Sequence, residues 1–359
     1  MATGTSKLLR VGILGAGGIA RARHVPGYQL SGVAAVTAVY DLVRVNAERL
    51  AEQSGARVFE TPEELFARDD IDAVSICTPN LYHAPLSLAA IRTGKHVLCE
   101  KPLGMTYQET VEMDAAAREA GVTTAVNFRY RYLPAVQLLK QKVVAGDLGR
   151  PYHLLFHYLQ GHMIDPQTPM SWRLDRSITG SGTLGDLASH GVDLVRYLLG
   201  EVAAVFADLT TFVQERPLRG GGAAPVEVDD SATLLLRMRN GAIVTIASTR
   251  NAGGRKNFQR LDLYGSGGSA YYEMDQDDIG ADILHTWKPA GGDFHPVAVP
   301  ATLPQSNMQI IMEFARAALS GQQTVPNFTD GMRCQEILEA AERSSGTGSR
   351  VSLPLDTTP

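Results

Sequence analysis

Residues 8–20 read Leu-Leu-Arg-Val-Gly-Ile-Leu-Gly-Ala-Gly-Gly-Ile-Ala, and this stretch decides how the first third of the chain folds. An apolar run of strand type ends at Leu14, and a G-x-G-x-x-A motif follows at once and opens a helix. Gly15 permits a tight turn, Gly17 lets the backbone approach a pyrophosphate, and Ala20 is small enough for close packing on the strand. The helix N-terminus also attracts phosphate charge. Five residues form the predicted dinucleotide contact: Gly15, Gly17, Gly18, Ile19 and Ala20.

A second predicted strand, Val33 to Tyr40, ends at Asp41, where a dinucleotide-binding unit is expected to carry an acidic residue. A carboxylate there can accept hydrogen bonds from both ribose hydroxyls and would repel a 2′-phosphate. We therefore predict NAD as the cofactor. Arg44, one helical turn further on, is a second candidate for cofactor contact and keeps NADP open as the less favoured alternative.

Strands and helices then alternate as far as Asn127. The helix Val45 to Ser54 precedes a short strand, and Thr61-Pro62 has the composition of a helix start before the buried strand Ile71 to Cys77. This alternation predicts a doubly wound parallel sheet, in which ligands lie beyond the carboxyl ends of the strands.

Three predicted strand ends carry residues suited to such a site. We expect a lysine that follows a buried strand to act in catalysis, and we expect the Lys101-Pro102 bond to be cis, since X-Pro bonds tolerate that form. His83 has two interpretations, a wall of the nicotinamide pocket or an ordinary helix-start residue. The strand-end residues predicted to contact the cofactor are Thr78, Pro79, Asn80, His83, Glu100, Lys101 and Asn127.

The pattern changes after the aromatic and basic cluster at residues 128–132, so we predict a first domain of residues 1–128 and a second of residues 129–359. From Tyr152 onward, strands are joined by turns, and Asn240-Gly241 is a hairpin signal. The second domain is therefore expected to be α/β, with a large, mostly antiparallel sheet. Residues 216–227 have the composition of a mobile surface loop, and Gln305 to Leu319 and Asp330 to Ser344 are predicted closing helices.

The most informative stretch of the second domain is a predicted helix from Leu184 to Leu199. Its polar positions form one stripe, which we expect to face a cleft, and its apolar positions form the neighbouring stripe, which we expect to pack inward. Asp186 precedes His190 by one turn and is positioned to orient the imidazole. The polar stripe comprises Asp186, His190, Asp193 and Tyr197, and the apolar stripe comprises Leu187, Gly191, Leu194 and Leu198.

The overall composition narrows the class of protein. Lysine and arginine number 33 against 38 aspartates and glutamates, and this net charge of −5 gives no reason to expect nucleic acid or a membrane as partner. No apolar run approaches the length of a membrane span, and residues 1–7 lack the apolar core of a signal peptide. The three cysteines show no metal-binding spacing, so we predict no metal site and a cytoplasmic protein with reduced thiols.

The three motifs together, the glycine motif, Glu100-Lys101-Pro102 and Asp186-x-x-x-His190, resemble the Gfo/Idh/MocA family of glucose–fructose oxidoreductases and inositol dehydrogenases. The resemblance covers essentially the whole chain and includes the segment 327–331 before the last helix. Trp172-Arg173 ahead of Gly180-x-Gly182 is similar to the branch that contains levoglucosan and glycoside 3-dehydrogenases. A small departure is Ala188, where many relatives carry glycine.

The resemblance implies a Rossmann domain followed by an α/β domain whose open sheet often forms dimers or tetramers, hence a homodimer or homotetramer. It implies hydride transfer between NAD and a secondary hydroxyl of a sugar, glycoside or cyclitol. Lys101, Asp186 and His190 take the catalytic positions. The expected substrate contacts are Lys101, Arg129, Tyr130, Trp172, Arg173, Asp186 and His190. Trp172 and Arg173 are also expected to contact the cofactor.

Two questions stay open at this point. His190 is our expected general base, with Lys101 stabilising charge on the reacting oxygen, but Lys101 with a lowered pKa is an alternative proton acceptor. The net reaction is the other question. A redox-neutral enzyme with tightly bound NAD, which would cleave, epimerise or couple the oxidation and reduction of sugars, is the alternative, followed by a non-catalytic NAD-binding regulator.

Overall fold

The computed structural model describes residues 8–275, 283–289, 291–304 and 306–355. The described chain forms two compact units, one of residues 8–129 with 308–333 and one of residues 130–307 with the chain from 334 onward. The sequence analysis had assigned residues 308–333 to the second domain. Residues 1–7 and Gln305, the predicted start of a closing helix, lie outside the described residues.

The first unit is built on a six-stranded parallel sheet of order β3-β2-β1-β4-β5-β6, the doubly wound arrangement expected from the alternating pattern. Strand β4 is buried at every position. The elements of this unit are β1 (Leu9–Leu14), α1 (Val25–Ser31), β2 (Ala34–Tyr40), α2 (Arg44–Ser54), β3 (Arg57–Val58), α3 (Pro62–Phe66), β4 (Ala73–Ile76), α4 (His83–Arg92), β5 (His96–Cys99), α5 (Tyr107–Ala120), β6 (Thr124–Val126) and α9 (Gln309–Ser320).

Local signals account for the helix starts in this sheet. The Thr61 side chain accepts a hydrogen bond from the Glu64 backbone at the start of α3, as Thr-Pro-Glu-Glu predicted. At α5, Thr106 and Glu109 form a reciprocal capping box, and Gly121 ends the helix in the left-handed conformation. The loop from Glu100 to Thr106 is thus anchored at its far end by a regular cap. We call residues 100–106 the lysine loop.

Residues 308–333 join the first unit through long-range packing. Helix α9 buries Ile310, Ile311 and Phe314 and packs on α1. Further on, the Val126 backbone N–H donates to the Pro326 carbonyl, and a Cβ at Gly331 would come within 2.6 Å of Leu103. These contacts join positions some two hundred residues apart, so no local sequence pattern indicated them.

The second unit carries a nine-stranded sheet of order β16-β15-β14-β13-β7-β12-β11-β8-β17. Its β7–β12 pair is parallel and its other pairs are antiparallel, which confirms the mostly antiparallel sheet. The elements are α6 (Pro134–Ala145), β7 (Pro151–Leu159), α7 (Arg176–Thr179), α8 (Ser189–Leu199), β8 (Val202–Thr210), β9 (Glu215–Pro217), β10 (Ala223–Pro225), β11 (Ser231–Met238), β12 (Ile243–Thr249), β13 (Phe258–Gly265), β14 (Gly268–Met274), β15 (Ile283–Trp287), β16 (His295–Val297) and β17 (Val351–Ser352). A further helix, α10 (Phe328–Thr347), begins in the first unit and ends in the second.

One face of this sheet is covered by helix α8. A Cβ at Gly191 would come within 2.5 Å of the Phe156 ring on β7, so this contact requires a glycine. Leu187, Leu194 and Leu198 are buried with it, as the predicted apolar stripe requires. The other face of the sheet exposes large apolar side chains, which are Leu155, Phe206, Leu235 and Tyr264.

The prediction of a surface loop over residues 216–227 is wrong at its ends. Arg216 is completely buried, and its guanidinium donates to the backbone carbonyls of Met163, at 2.6 Å, and Asp165, at 2.8 Å. Strands β9 and β10 pair antiparallel around the exposed glycines, and Val226 packs in a small core with Leu174. The exposed glycines at the middle of the segment agree with a surface position, but the composition did not indicate that Arg216 binds buried backbone carbonyls.

No helix among the described residues combines the length and the apolar character needed to cross a membrane.

Candidate active site

The glycine turn after β1 has the geometry that its sequence predicted. Gly15 has a φ of +90°, and a Cβ there would come within 2.7 Å of the Cys77 backbone, so only glycine fits. By contrast, a Cβ at Gly17 or Gly18 would meet no atom within 4 Å among the described residues other than its neighbours in sequence. The space above these two residues is therefore open. The helix begins with a π-helical turn, Ala20–His24, in which Ala20 is buried.

Thr78, at the carboxyl end of β4, adds a second sign of a ligand. Its Oγ1 is buried and has no hydrogen-bond partner among the described residues. A buried hydroxyl without a partner costs free energy unless a ligand or a water satisfies it. Together with the open space above Gly17 and Gly18, this means that the residues present fit a bound dinucleotide.

Asp41 holds the glycine turn in place. Its Oδ2 accepts a hydrogen bond of 2.7 Å from the Ala16 backbone, and its Oδ1 accepts one of 2.8 Å from the Val43 backbone. Each carboxylate oxygen can accept further bonds, so contact with ribose hydroxyls remains compatible with this geometry. The Arg44 guanidinium is paired with Glu48, at 2.9 Å, and also with Glu60. Two carboxylates thus already neutralise the positive charge of Arg44, which is the charge with which a 2′-phosphate would pair.

His83 and Glu100 support the lysine loop, and their contact with the cofactor remains a prediction. His83 is 1% exposed, with Nδ1 lying 2.8 Å from the Pro102 carbonyl and Nε2 lying 3.0 Å from the Thr78 carbonyl. Burial lowers the pKa of His83, and the two carbonyls oppose this shift in part. Because both ring nitrogens face backbone oxygens, the ring ties the lysine loop to the end of β4.

Glu100 is buried at the start of the loop. Its Oε1 accepts hydrogen bonds from His24 Nε2, at 2.9 Å, and from Asn127 Nδ2, at 2.6 Å. Its Oε2 accepts one from the Lys101 backbone N–H, at 3.3 Å. Lys101 itself is partly exposed, and its bond to Pro102 is cis, as predicted. The sequence analysis missed His24, because nothing in the glycine motif indicates that its helix reaches Glu100.

In the second unit, the segment that carries Asp186 and His190 consists of a π-helical turn, Leu184–Ala188, followed by α8. Its entry is held by Asp229, whose carboxylate accepts hydrogen bonds from the backbones of Gly182, at 2.8 Å, and Leu184, at 2.7 Å. A Cβ at Gly182 would come within 2.0 Å of the Asp229 carbonyl oxygen. Burial raises the pKa of Asp229, and the two backbone N–H groups oppose this shift.

Asp186 is held by a buried arginine that the sequence analysis did not single out. Arg250 Nη2 donates to Asp186 Oδ2 at 2.9 Å and to the Gly182 carbonyl at 3.3 Å. Arg250 is 1% exposed, whereas the Asp186 side chain is 30% exposed. The buried guanidinium therefore anchors one oxygen of the Asp186 carboxylate, while part of that carboxylate stays accessible to solvent.

His190 lies against two tyrosines. Its ring packs edge-on against Tyr130, with centroids 4.6 Å apart, and lies 6.0 Å from Tyr158. The two tyrosine hydroxyls are 2.8 Å apart, and the Asn257 amide bonds to both, at 2.7 and 3.1 Å. Tyr130 is 1% exposed and supports the His190 ring, and its contact with a substrate remains a prediction.

The polar stripe of α8 does not face a cleft along its whole length. Asp193 is buried and makes a bidentate ion pair with Arg131, with nitrogen–oxygen distances of 2.5 and 2.8 Å. The central carbon of the Arg131 guanidinium lies over the Tyr197 ring, 5.1 Å from the centroid of that ring. The prediction of a cleft-facing stripe is therefore wrong at Asp193, because a distant arginine satisfies this carboxylate inside the protein.

Five further predicted contacts lie at the surface or near it. Trp172 and Arg173 belong to a short 3-10 helix, and the Arg173 guanidinium stacks 4.4 Å from the centre of the Trp172 ring. Both are exposed, whereas Arg129 is half-buried at the start of another 3-10 helix. Pro79 and Asn80, together with Thr78, form the turn after β4, and Asn80 opens a third 3-10 helix. Contact of these residues with a ligand remains a prediction.

Comparison with known proteins gives two family matches. Residues 9–128 match the oxidoreductase family with an NAD-binding Rossmann fold, and residues 136–271 match the GFO/IDH/MocA C-terminal domain. Levoglucosan dehydrogenase of Pseudarthrobacter phenanthrenivorans is 34% identical over 346 residues, which cover 87% of this chain and 89% of that protein. Myo-inositol 2-dehydrogenase of Thermotoga maritima is 29% identical over 265 residues, which cover 73% of this chain and 75% of that protein.

A solved structure of levoglucosan dehydrogenase in complex with NADH and L-sorbose superimposes on this chain with a TM-score of 0.90. The two are 31% identical, and the match covers 97% of this chain and 99% of that one. The similarity therefore extends over nearly the whole of both chains.

Proposed function

The chain belongs to the Gfo/Idh/MocA family of NAD-binding sugar and cyclitol oxidoreductases, and on this premise we propose that it oxidises a secondary hydroxyl of a sugar or glycoside with NAD. The observation that carries the proposal is the near full-length similarity to levoglucosan dehydrogenase. Lys101, Asp186 and His190 are all present at the positions where the family resemblance expects catalytic groups.

In this proposal the nicotinamide supplies the hydride acceptor, and the protein handles the proton and the charge. His190 takes the hydroxyl proton on a ring nitrogen, because a histidine can change charge near neutral pH. The Lys101 ammonium donates a hydrogen bond to the reacting oxygen and stabilises its negative charge. Asp186, anchored by Arg250, accepts a hydrogen bond from a neighbouring hydroxyl.

The choice of His190 as base rather than Lys101 is supported by its surroundings. Its ring is fixed against Tyr130, whose hydroxyl is in turn fixed by Tyr158 and Asn257, so the direction of its nitrogens is set. A general base works best when its orientation is settled before the substrate arrives.

The choice of NAD over NADP is supported by charge. Asp41 presents a carboxylate at the end of β2, and Arg44 is already paired with Glu48 and Glu60. A 2′-phosphate would meet the repulsion of Asp41 and find no uncompensated cation at Arg44.

The open face of the nine-stranded sheet supports a homo-oligomer. Leu235 lies opposite Phe206 on β8 and opposite Thr245 on β12, and Thr245 in turn lies opposite Leu155 on β7. This row crosses four strands and exposes a large apolar side chain on three of them, which is typical of an interface. We propose that a second copy of the chain covers it. The Leu235→Glu variant should elute and scatter light as a smaller species, whereas Val144→Glu, at an exposed apolar residue of α6, should not.

The test of the reaction is an NAD⁺ reduction screen followed at 340 nm. The panel contains levoglucosan, alkyl and aryl glucosides, free pyranoses and inositols, each with NAD⁺ and with NADP⁺ in parallel. We expect NADH formation with at least one of the pyranose-based compounds and a weaker response with NADP⁺. Product formation without net NADH, from protein that retains its cofactor through purification, would favour the redox-neutral reaction instead. No change in any compound would contradict the proposal.

A further inference from the structure

A buried hydrogen-bond chain in the first unit leads from the helix behind the glycine turn to the lysine loop. The Tyr28 hydroxyl lies 2.7 Å from Ser75 Oγ, and His24 Nδ1 lies 3.1 Å from the same oxygen. The other ring nitrogen of His24, Nε2, lies 2.9 Å from Glu100 Oε1. Tyr28, His24 and Ser75 are completely buried. The chain joins α1, the π-helical turn and β4 to the end of β5.

Glu100 is the branch point of this chain. It accepts hydrogen bonds from His24, from Asn127 and from the Lys101 backbone, and an ionised carboxylate, which carries acceptors only, suits this set of three donors. Burial alone would raise the pKa of Glu100, but the hydrogen bond and charge of His24, the Asn127 amide and the charge of Lys101 lower it well below the usual range. A buried negative charge therefore sits one residue before the Lys101 side chain.

The His24–Glu100 pair is not expected to add much to the net free energy of folding. Taking an ionised carboxylate and an imidazole out of water costs about as much as their attraction returns, so a well-packed apolar pair would serve a core equally well. Its distinctive effect is geometric. It fixes the first residue of the lysine loop, while His83 fixes the Pro102 carbonyl two residues later.

We propose that His24 is a positioning residue for Lys101: through Glu100 it fixes the backbone of Lys101 and ties that residue to the helix that follows the dinucleotide turn. The inference rests on the proposed function of Lys101. Both ring nitrogens of His24 are engaged inside the first unit, so it acts through Glu100 and does not touch the reacting atoms.

The protein is well suited to a direct measurement of the surroundings of the Lys101 side chain. It has only seven lysines, so reductive methylation with ¹³C-formaldehyde gives a sparse NMR spectrum in which each dimethyl-lysine signal can be followed. The Lys101→Arg variant assigns the signal of interest by its loss. The lysines are Lys7, Lys95, Lys101, Lys140, Lys142, Lys256 and Lys288.

The test compares His24→Met, which removes both hydrogen bonds, with His24→Gln, whose amide nitrogen can still donate to Glu100. His96→Gln is the matched control, because His96 begins β5, the strand that ends just before Glu100, and its Nδ1 accepts a hydrogen bond from the Thr123 backbone N–H. We expect the Lys101 signal to move in His24→Met, to move less in His24→Gln, and to stay in place in His96→Gln. The other lysine signals should not change in any of the three.

Kinetics and binding give the second readout. In His24→Met we expect kcat to fall by about 10- to 100-fold, the scale of a misplaced catalytic group. NAD⁺ affinity, from fluorescence titration, should change by less than about threefold, because Asp41 and Gly15 hold the dinucleotide turn independently. If His24→Met does not fold, Ser75→Ala takes its place, since it removes the support of Nδ1 and should move the Lys101 signal in the same direction.

The outcomes separate this inference from the proposed function. An unmoved Lys101 signal and normal kcat in folded His24→Met, or an equal effect of His96→Gln, would overturn the positioning role. A moved Lys101 signal in a protein that turns over no sugar with either cofactor would overturn the proposed function and leave the positioning role in place.

Discussion

The lysine loop of the first unit and the Asp186–His190 segment of the second are built with opposite charges. In the lysine loop a cation, Lys101, follows a buried carboxylate that His24 and Asn127 satisfy. In the other segment a partly exposed carboxylate, Asp186, is held by the buried guanidinium of Arg250. In both, the group proposed to act is accessible and its counter-charge is buried, which preorganises the charge without exposing its support to water.

The largest expected effects test whether the lysine loop and the Asp186–His190 segment act on the same reacting oxygen. We expect Lys101→Ala to lower turnover by roughly 100-fold or more, the scale of general acid–base groups, with NADH binding nearly intact. His190→Ala should have an effect of similar size. The double variant should lose little beyond either single variant, because residues that act as one unit are strongly non-additive.

A double-mutant cycle in kcat checks this prediction. Multiplicative losses in the Lys101→Ala, His190→Ala variant would mean that the two regions contribute independently, and unchanged turnover in Lys101→Ala would remove Lys101 from the chemistry.

The next prediction concerns the support of Asp186. Arg250→Met should lower kcat/KM for the sugar by about 10- to 100-fold, because Asp186 loses the donor that holds its Oδ2. Arg250→Lys should recover part of the loss, since it restores the charge but not the planar guanidinium that reaches both Asp186 and the Gly182 carbonyl. NAD⁺ affinity serves as the control and should stay near the wild-type value. Equal kinetics in Arg250→Met and the wild type would make the ion pair incidental.

The close packing of Gly182 on Asp229, at the start of the Asp186–His190 segment, can be tested by measuring stability. A Cβ at Gly182 would overlap the Asp229 carbonyl oxygen, whereas one at Gly17 meets open space. Gly182→Ala should therefore lower the free energy of unfolding by about 1–3 kcal/mol, the cost of overpacking, while Gly17→Ala should change it far less. Urea unfolding of the two variants measures both values. A fully stable Gly182→Ala variant would show that the backbone shifts away from Asp229 at no cost.

The smallest expected effect is a pH dependence in the support of the lysine loop. Burial lowers the pKa of His83 below its usual 6.5, so the unfolded chain binds that proton more tightly than the folded chain. The contribution of neutral His83 to stability is therefore complete above about pH 6.5 and is lost as the pH falls through the folded-state pKa. Urea unfolding between pH 7.5 and about 5 should show a shallower decline for His83→Gln than for the wild type.

His295→Gln, at an exposed histidine of β16, is the control for that comparison and should keep the decline of the wild type. Parallel curves for His83→Gln and the wild type would mean that His83 does not hold the lysine loop in its neutral form.

Sequence reasoning succeeded where the controlling interactions are local. The tight turn at Gly15, the helix start at Thr61-Pro62 and the hairpin at Asn240-Gly241 each depend on residues within a few positions of one another, and the structure confirms all three. The apolar stripe of residues 184–199 was equally readable, because helical periodicity brings Leu187, in the π-helical turn, and Leu194 and Leu198, in α8, to one buried face.

The sequence by itself thus determined the Rossmann unit, the mostly antiparallel sheet, and the residues with the chemistry for an oxidoreductase of this family. Only the tertiary structure decided which polar residues support others. His24 reaches Glu100 across 76 positions, and Arg250 reaches Asp186 across 64. Nothing in the local pattern of either residue indicates its partner. The physical reason is that a buried charge must be satisfied by whichever group the fold brings within hydrogen-bond distance, and that group is set by topology rather than by spacing.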